Sequence, residues 1–131
     1  MAWAVRGRSS TVFAPSVWRG MPGRMAIALT FDDGPSPSTP ALLRVLEEFR
    51  IRATFFQIGG NARRYPDIAN AVASAGHEIG NHSETHPNFA LQSSAVVHDE
   101  FSRAQDSLAQ ATGLVPTLLR VPYGVRWFGF R

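Results

Sequence analysis

The sequence predicts an α/β domain in which helices cover a parallel β-sheet. Short apolar segments of strand length alternate along the chain with longer segments whose apolar residues recur at helical spacing, and glycine or proline separates many of them. Alternation of this kind is typical of parallel sheets with covering helices. Because the chain has 131 residues, 44% of them hydrophobic, it can bury one core of ordinary size, and we expect a single domain.

The first half of the domain contains two strands and two helices. The apolar run at residues 25–31 predicts a strand, and residues 39–49 predict a helix because leucines recur there at helical spacing behind a Ser-Thr-Pro start. Residues 53–58 predict a second, buried strand that ends at a Gly-Gly pair. Residues 61–75 then predict a second helix, which ends at Gly76.

The second half repeats the pattern. Residues 77–80 predict a short strand, residues 93–111 a long helix that stops at Gly113, and residues 117–119 a fourth strand. No low-complexity tract or linker divides the chain. We therefore expect a basic N-terminal arm at residues 1–24, followed by one domain at residues 25–131.

The charge pattern limits the partners of the chain. All 13 basic residues are arginines and the formal net charge is +3, with four arginines in the N-terminal arm at positions 6, 8, 19 and 24. They are scattered and accompany no base-reading module, so we expect no nucleic-acid partner. No apolar run is long enough to span a bilayer, and the N-terminus lacks the apolar stretch of a secretory signal. These features predict no membrane span. They leave the location of the chain unknown, with the cytoplasm as the default in the absence of a signal peptide.

Polar clusters follow three of the predicted strands. TFDDGP lies at residues 30–35, NHSETH at 81–86 and RVPYG at 120–124. The carboxyl ends of parallel strands meet at one edge, where open α/β sheets and α/β barrels place their sites. We therefore expect the three clusters to converge, and the chemistry that they can build together is a metal-assisted hydrolysis.

His82 and His86 have the spacing of a metal-ligand pair. Two imidazoles four residues apart lie on one side of a helical turn or a compact loop, where both can reach one ion. Such pairs also arise on solvated helices, so the spacing alone is a weak indication. The pattern is not the HExxH of zinc proteases, because Glu84 holds the third position. Since the chain has no cysteine, further ligands must be carboxylates or histidines.

The adjacent carboxylates of Asp32 and Asp33 can serve two different roles. One can complete a set of three protein ligands that leaves positions open for water and substrate, and the other can accept a proton from the attacking water. The alternative is that the pair caps the following helix or closes an Asx turn before Gly34.

Arg120 and the turn after it can complete the site. Its guanidinium could pair with Asp32 and fix the orientation of that carboxylate, and the turn at residues 122–124 could aim a backbone N–H at an oxyanion. By themselves these residues are only a surface arginine and a turn.

Together, TFDDGP, HSETH and RVPYG resemble the first three motifs of the polysaccharide deacetylases, the NodB-homology carbohydrate esterases, over about residues 25–125. The resemblance implies a partial, distorted (β/α) barrel that lacks its C-terminal strands. It implies hydrolysis of N- or O-acetyl groups on an acetylated glycan such as a chitin oligomer, peptidoglycan or xylan. Members of this family often act on cell-envelope or extracellular glycans.

The resemblance also implies a role for each motif residue. It implies that the metal ligands are Asp33, His82 and His86. It implies Asp32 as the catalytic base, Arg120 as the residue that positions it, and Tyr123 as an oxyanion donor through its backbone N–H. Zn²⁺ is the expected ion, and sites with two histidines and one aspartate also take Co²⁺, Ni²⁺ or Mn²⁺.

The sequence departs from the family pattern after the third motif. Members continue with an Asp- and Trp-containing motif and a Leu-x-His segment whose histidine is the general acid, whereas this sequence stops at Arg131. His77 and His98 fit neither that context nor that order, and we expect them to be structural or surface residues. A full barrel usually needs about 200 residues or more. We therefore expect an uncovered C-terminal edge that favours self-association through Trp127, Phe128 and Phe130.

Three functions follow as hypotheses. The first is a metal-dependent polysaccharide deacetylase with activity impaired by truncation. The second is a remnant of such an enzyme that binds metal or glycan without turnover. The third is an iron oxygenase with two histidines and one carboxylate, which iron dependence and oxygen uptake would reveal.

Overall fold

The structure is a computed structural model that describes residues 20, 22–23 and 25–124. The four arginines of the predicted N-terminal arm and the aromatic residues of the expected self-association edge, Trp127, Phe128 and Phe130, lie outside the described residues. The domain boundary at residue 25 and the self-association therefore stay predictions.

Four parallel strands form one sheet in the order β1-β2-β3-β4. Their bounds are β1 Thr30–Gly34, β2 Thr54–Gln57, β3 Glu78–Asn81 and β4 Leu118–Leu119. Each strand pairs with the next one along the chain, which confirms the predicted parallel α/β architecture. Consecutive pairing of this kind corresponds to one part of a (β/α) barrel wall.

Four α-helices connect the strands, with bounds α1 Thr39–Glu48, α2 Gly59–Arg64, α3 Pro66–Ser74 and α4 Ser94–Thr112. The longest, α4, begins at the N-cap Ser93, whose side chain accepts the Val96 N–H, and ends at Gly113 in the left-handed conformation with φ 72°. Among the described residues, no helix combines the length and apolar character that a membrane crossing requires.

The hydrophobic core lies between the sheet and the helices. Phe55 and Ile79 contribute from the middle strands, and the helices contribute Leu46, Val72 and Leu108, all of them buried. Burial of such side chains is worth about 1.5–3 kcal/mol each. The core therefore holds the covering helices against one face of the sheet and fixes where the strands end.

The first strand begins later than predicted. Residues 25–29 are not part of the sheet, and the side chains of Met25 and Ile27 are 106% and 94% exposed. The neighbouring strand β2 starts only at Thr54, whose N–H donates to the Leu29 carbonyl, so the apolar residues before Leu29 have no strand to pair with. The aspartates consequently lie inside β1 rather than after it.

The helix predicted at residues 61–75 is two helices. Pro66 is the first residue of α3 and provides no N–H, and Tyr65 before it leaves the helical conformation with φ −131° and ψ 59°. The Gly59-Gly60 pair begins α2 and does not separate elements as predicted. Glycine is required at position 59, since a Cβ there would clash with Glu84 Oε2 and lie 2.8 Å from the Ala104 Cα.

Candidate metal centre

An irregularity in β1 allows both aspartates to serve one edge of the sheet. Asp32 pairs with Phe56 and Gly34 pairs with Gln57, so Asp33 is an extra residue in the register, and its φ is 68°. In a regular strand, neighbouring side chains point to opposite faces. A bulge re-aims one of them. The structure therefore gives Asp32 and Asp33 different partners at the carboxyl end of the same strand.

His82 follows β3 and presents Nε2 to Asp33. Its Nδ1 lies 2.7 Å from the Arg120 carbonyl oxygen, which can only accept a hydrogen bond, so Nδ1 carries the proton in the neutral ring. Nε2 then offers a lone pair to Asp33 Oδ1 at 3.3 Å. When the ring is neutral, two acceptors face each other at this distance, and a cation bound between them would remove the repulsion.

His86 completes a group of three side chains that could bind a metal ion. Its Nε2 lies 3.1 Å from Asp33 Oδ1, and one ligand atom from each of Asp33, His82 and His86 lies within 4.8 Å of the others. Ligand atoms around a tetrahedral ion with bonds of 2.0–2.1 Å are about 3.3–3.4 Å apart. The two distances to Asp33 are close to that value, so these residues fit a divalent cation.

Strained backbone is concentrated around these side chains. Five described non-glycine residues have positive φ, and four of them lie in the three motifs: Asp33 (68°), Ser83 (68°), His86 (60°) and Tyr123 (58°). Each such residue costs of order 1 kcal/mol, and clusters of them mark functional sites. The His82–His86 segment is a loop and not a helical turn, so the two imidazoles converge through this backbone.

Arg120 joins the second aspartate to the histidine. Its Nη1 donates to Asp32 Oδ1 at 2.7 Å and to Thr30 Oγ1 at 3.0 Å, and its guanidinium carbon lies 4.1 Å from the centroid of the Phe56 ring. The backbone carbonyl of the same residue accepts the His82 Nδ1–H. Arg120 therefore orients a carboxylate with its side chain and a candidate metal ligand with its main chain.

Neither aspartate caps helix α1 in the structure. The residue before α1 is Ser38, and no side chain caps that end. Asp32 is paired with Arg120, and Asp33 with the two histidines.

Tyr123 lies at the rim of the site. Its ring centroid is 4.7 Å from that of His86 in an edge-to-face arrangement, and the residue is 68% exposed. The backbone N–H role expected for this residue stays a prediction. The ring itself forms an exposed apolar surface directly beside a candidate metal ligand.

The other two histidines lie elsewhere, as expected. His77 is buried at the start of β3, where its Nδ1 accepts the Ala53 N–H at 3.3 Å. His98 is exposed on α4, with Nδ1 3.4 Å from the Ser102 hydroxyl.

Two buried glutamates near the site were not recognised from the sequence. Glu84 is fully buried and pairs with Arg63 and the Ser107 hydroxyl, while Glu100 on α4 is 7% exposed and accepts hydrogen bonds from the loop between the two histidines. The available signal was a glutamate on the same stripe of α4 as Ala104 and Leu108, at a position where an apolar residue is ordinarily expected.

A parallel α/β sheet with a carboxylate–imidazole cluster at its carboxyl edge is an arrangement typical of enzymes of the (β/α) barrel class. The family model described as polysaccharide deacetylase matches residues 19–127. The chain therefore belongs to the polysaccharide deacetylase family.

Individual relatives support the assignment. The chain is 39% identical over 99 residues to a peptidoglycan-N-acetylglucosamine deacetylase of Bacillus cereus, covering 75% of this chain and 36% of the relative. It is 44% identical over 101 residues to a chitooligosaccharide deacetylase of Azorhizobium caulinodans, covering 76% and 48%. It also resembles the crystal structure of a pseudoenzyme of carbohydrate esterase family 4 from Bacillus anthracis, with 28% identity, a TM-score of 0.77, and coverage of 88% and 40%. The chain thus spans between a third and a half of these relatives.

Proposed function

We propose that this chain carries the metal-binding part of a deacetylase site that hydrolyses acetyl groups on a polysaccharide. The observation that supports the proposal is the convergence of Asp33 Oδ1, His82 Nε2 and His86 Nε2 at one edge of the sheet. Relatives named for peptidoglycan N-acetylglucosamine and for chitooligosaccharides point to a polymer of N-acetylated sugars as the substrate.

Asp33, His82 and His86 would hold the cation. Their two nitrogens and one oxygen suit Zn²⁺ and also Co²⁺, Ni²⁺ or Mn²⁺. When bound, such an ion lowers the pKa of a coordinated water and polarises the acetyl carbonyl. The hydrogen bond from His82 Nδ1 to the Arg120 carbonyl orients the imidazole and raises its basicity as a ligand.

Asp32 would act as the general base. Arg120 occupies Oδ1, and within the described residues no hydrogen bond occupies Oδ2, so that oxygen can accept a proton from the attacking water. The guanidinium fixes the carboxylate in place and balances its charge. The Tyr123 backbone N–H would donate to the oxyanion of the tetrahedral intermediate.

The leaving group sets the expected substrate preference. An amine must be protonated as the intermediate collapses, and general-acid assistance is worth about 10²–10⁴ in rate. Among the described residues, neither His77 nor His98 lies at the site. We therefore expect the 131-residue chain to cleave an aryl acetate weakly, and a chitin oligomer far more slowly.

The neighbouring aspartates supply a matched test. We expect Asp33→Asn to lose the metal, because one of three protein ligands becomes a neutral amide, while Asp32→Asn keeps the metal and loses aryl acetate hydrolysis. Metal content by mass spectrometry and acetate release are measured on the wild type and on both variants.

Two outcomes would contradict this assignment. Loss of metal from Asp32→Asn with full occupancy in Asp33→Asn would exchange the two roles. Equal metal content in the wild type, Asp33→Asn and His86→Ala would remove the metal site altogether.

A metal- or glycan-binding protein without turnover is the second candidate. It is favoured by the similarity to the Bacillus anthracis pseudoenzyme, which shares this part of the fold. In that case the wild type binds the metal and chitin oligomers but releases no acetate from any substrate. Equilibrium binding of the oligomers beside the acetate assay distinguishes the two functions. The family assignment gives no support to the iron oxygenase.

A further inference from the structure

The loop that carries both histidines contacts helix α2 through the Ser83 and Glu84 carbonyls, and a buried carboxylate on α4 holds its remaining side. Glu100 Oε2 accepts the backbone N–H of Glu84 at 3.1 Å and that of Thr85 at 2.8 Å, and Glu100 Oε1 accepts the Thr85 hydroxyl at 2.8 Å. All three donors belong to the residues between His82 and His86. The carboxylate therefore contacts the loop from helix α4 midway between the two candidate ligands.

The loop depends on such contacts because its own conformation is unfavourable. Ser83 and His86 both have positive φ, which few residues adopt without support from their surroundings. The loop makes two short-range side-chain bonds of its own, from the Ser83 N–H to Asn81 Oδ1 and from the His86 N–H to the Ser83 hydroxyl. Neither of them involves Glu84 or Thr85. The Glu84 carbonyl accepts the Gly60 N–H at 3.0 Å, whereas the Thr85 N–H and hydroxyl both donate to Glu100.

The burial of Glu100 shows that the carboxylate and the loop are coupled. The residue is 7% exposed, and among the described residues it forms no ion pair. Burying a carboxylate is costly unless hydrogen bonds compensate. Here the compensating donors come from the loop, so displacing the loop would leave the charge unsatisfied.

Helix α4 is a rigid support for this contact. Ala104 and Leu108 pack it into the protein interior, and Asn81 Nδ2 donates to the Phe101 carbonyl and to Gln105 Oε1, each at 3.0 Å. The end of β3 and the loop after it are therefore both hydrogen-bonded to the same helix. The Glu84 side chain adds a separate contact to Arg63 and Ser107.

We propose that Glu100 is a positioning residue of the metal centre, which holds the loop so that the imidazoles of His82 and His86 both face Asp33 Oδ1. The inference rests on the proposed metal site. Glu100 would neither bind the ion nor touch the substrate. It would act through the loop backbone, so its effect would appear in the affinity and geometry of the metal site.

Co²⁺ titration of the 131-residue chain tests the proposal, with the dissociation constant and the visible absorption spectrum as readouts. We expect Glu100→Ala to weaken Co²⁺ binding by about 10–100-fold and to change the spectrum. Glu100→Gln should stay within a few-fold of the wild type, because its carbonyl can accept both N–H groups while its amide donates to the Thr85 hydroxyl. Asp99→Asn, an exposed neighbour on the same helix, is the control and should leave both readouts unchanged.

The thermal midpoint of the metal-free protein separates positioning from a merely structural role. A Glu100→Ala variant with a lower midpoint but the wild-type Co²⁺ affinity and spectrum would overturn the proposal. If that variant does not fold, Glu100→Asp provides the test. Aspartate keeps the negative charge, but its side chain is one methylene shorter, so the carboxylate lies farther from the loop. We expect weaker binding, and wild-type binding would again overturn the proposal. If the wild type and His82→Ala bind Co²⁺ equally, the metal site itself is wrong, and the positioning role falls with it.

Discussion

The two ends of the sheet each contain a buried histidine, and the two are held in opposite ways. At the carboxyl end, His82 Nδ1 donates to the Arg120 carbonyl. The lone pair of Nε2 in the neutral ring then faces Asp33. At the amino end, His77 Nδ1 accepts the Ala53 N–H, and its ring packs 5.1 Å from that of Phe55. The same side chain thus serves as a candidate ligand at one end and as part of the core at the other.

The surroundings of the two histidines also differ. His77 lines a groove of about 480 Å³ together with Glu47, Arg50 and Arg52. Burial, and then the charge of Arg52, lower the pKa of His77, which keeps the ring neutral. His82 instead faces a carboxylate that a second histidine also reaches. The two rings therefore differ in the role of Nδ1, which accepts a hydrogen bond in His77 and donates one in the candidate ligand His82, whereas both side chains are buried.

The largest expected effect comes from replacing each histidine in turn. His82→Ala removes one of the three proposed protein ligands, and we expect Co²⁺ affinity to fall by about 100-fold or more. His77→Ala should bind Co²⁺ as the wild type does, while the loss of its buried ring lowers the free energy of unfolding. Co²⁺ titration and urea unfolding of both variants check this. If His77→Ala also lost the metal, the two ends would not be independent.

A substitution at a glycine near each end should have a smaller effect. We expect Gly59→Ala to cost about 1–3 kcal/mol in the free energy of unfolding, because the new Cβ meets Glu84 Oε2 and the backbone of Ala104. Since Glu84 lies in the loop between the histidines, Co²⁺ affinity should fall as well.

Gly113→Ala is the matched control for that substitution. Its Cβ would meet nothing within 4 Å, and only the φ of 72° is unfavourable, so we expect a cost of about 1–2 kcal/mol and unchanged Co²⁺ affinity. Urea unfolding and Co²⁺ titration measure both effects. Equal Co²⁺ affinity in the two variants would show that crowding at position 59 does not reach the metal site.

The smallest effect is a pH dependence at the amino end. Because the pKa of His77 is lowered in the folded protein, the unfolded chain takes up the proton first as the pH falls below about 6.5. Protonation therefore favours unfolding, and the contribution of His77 destabilises the fold increasingly between pH 6.5 and its lowered folded-state pKa.

The difference between two unfolding profiles isolates this contribution. We expect the wild type to lose more stability than His77→Gln between about pH 7.5 and 5.5, because glutamine does not titrate but can still accept the Ala53 N–H. Urea unfolding at several pH values measures it. Parallel profiles would show that His77 does not titrate differently in the two states.

Much of this arrangement could be predicted from the sequence because it depends on local patterns. Helical spacing located α1 and α4, and the position of polar clusters after strands indicated that residues such as Asp33 and His82 would meet. The predicted start of β1 was wrong because apolar composition does not reveal whether a neighbouring strand is present. The break at Pro66 was visible in the sequence, but the apolar periodicity on either side outweighed it.

Other features of the site have no local signature. The irregular register at Asp33 depends on how β1 pairs with β2, and the amino-acid sequence of β1 alone does not reveal that pairing. Glu100 was missed because a glutamate on a helix ordinarily faces water, and only the tertiary contact with the loop explains its burial. Long-range hydrogen bonds of this kind are the part of the site that sequence patterns leave out.

The two aspartates have the same side chain, and the extra residue in β1 distinguishes them only by their positions in the strand register. Deleting one residue from this strand would leave a sequence of similar appearance but would bring the wrong carboxylate to the histidines. Anyone transplanting this site into another parallel sheet would have to transfer the offset between β1 and β2 together with the side chains. On a regular strand, the same pair of aspartates would be divided between the two faces of the host.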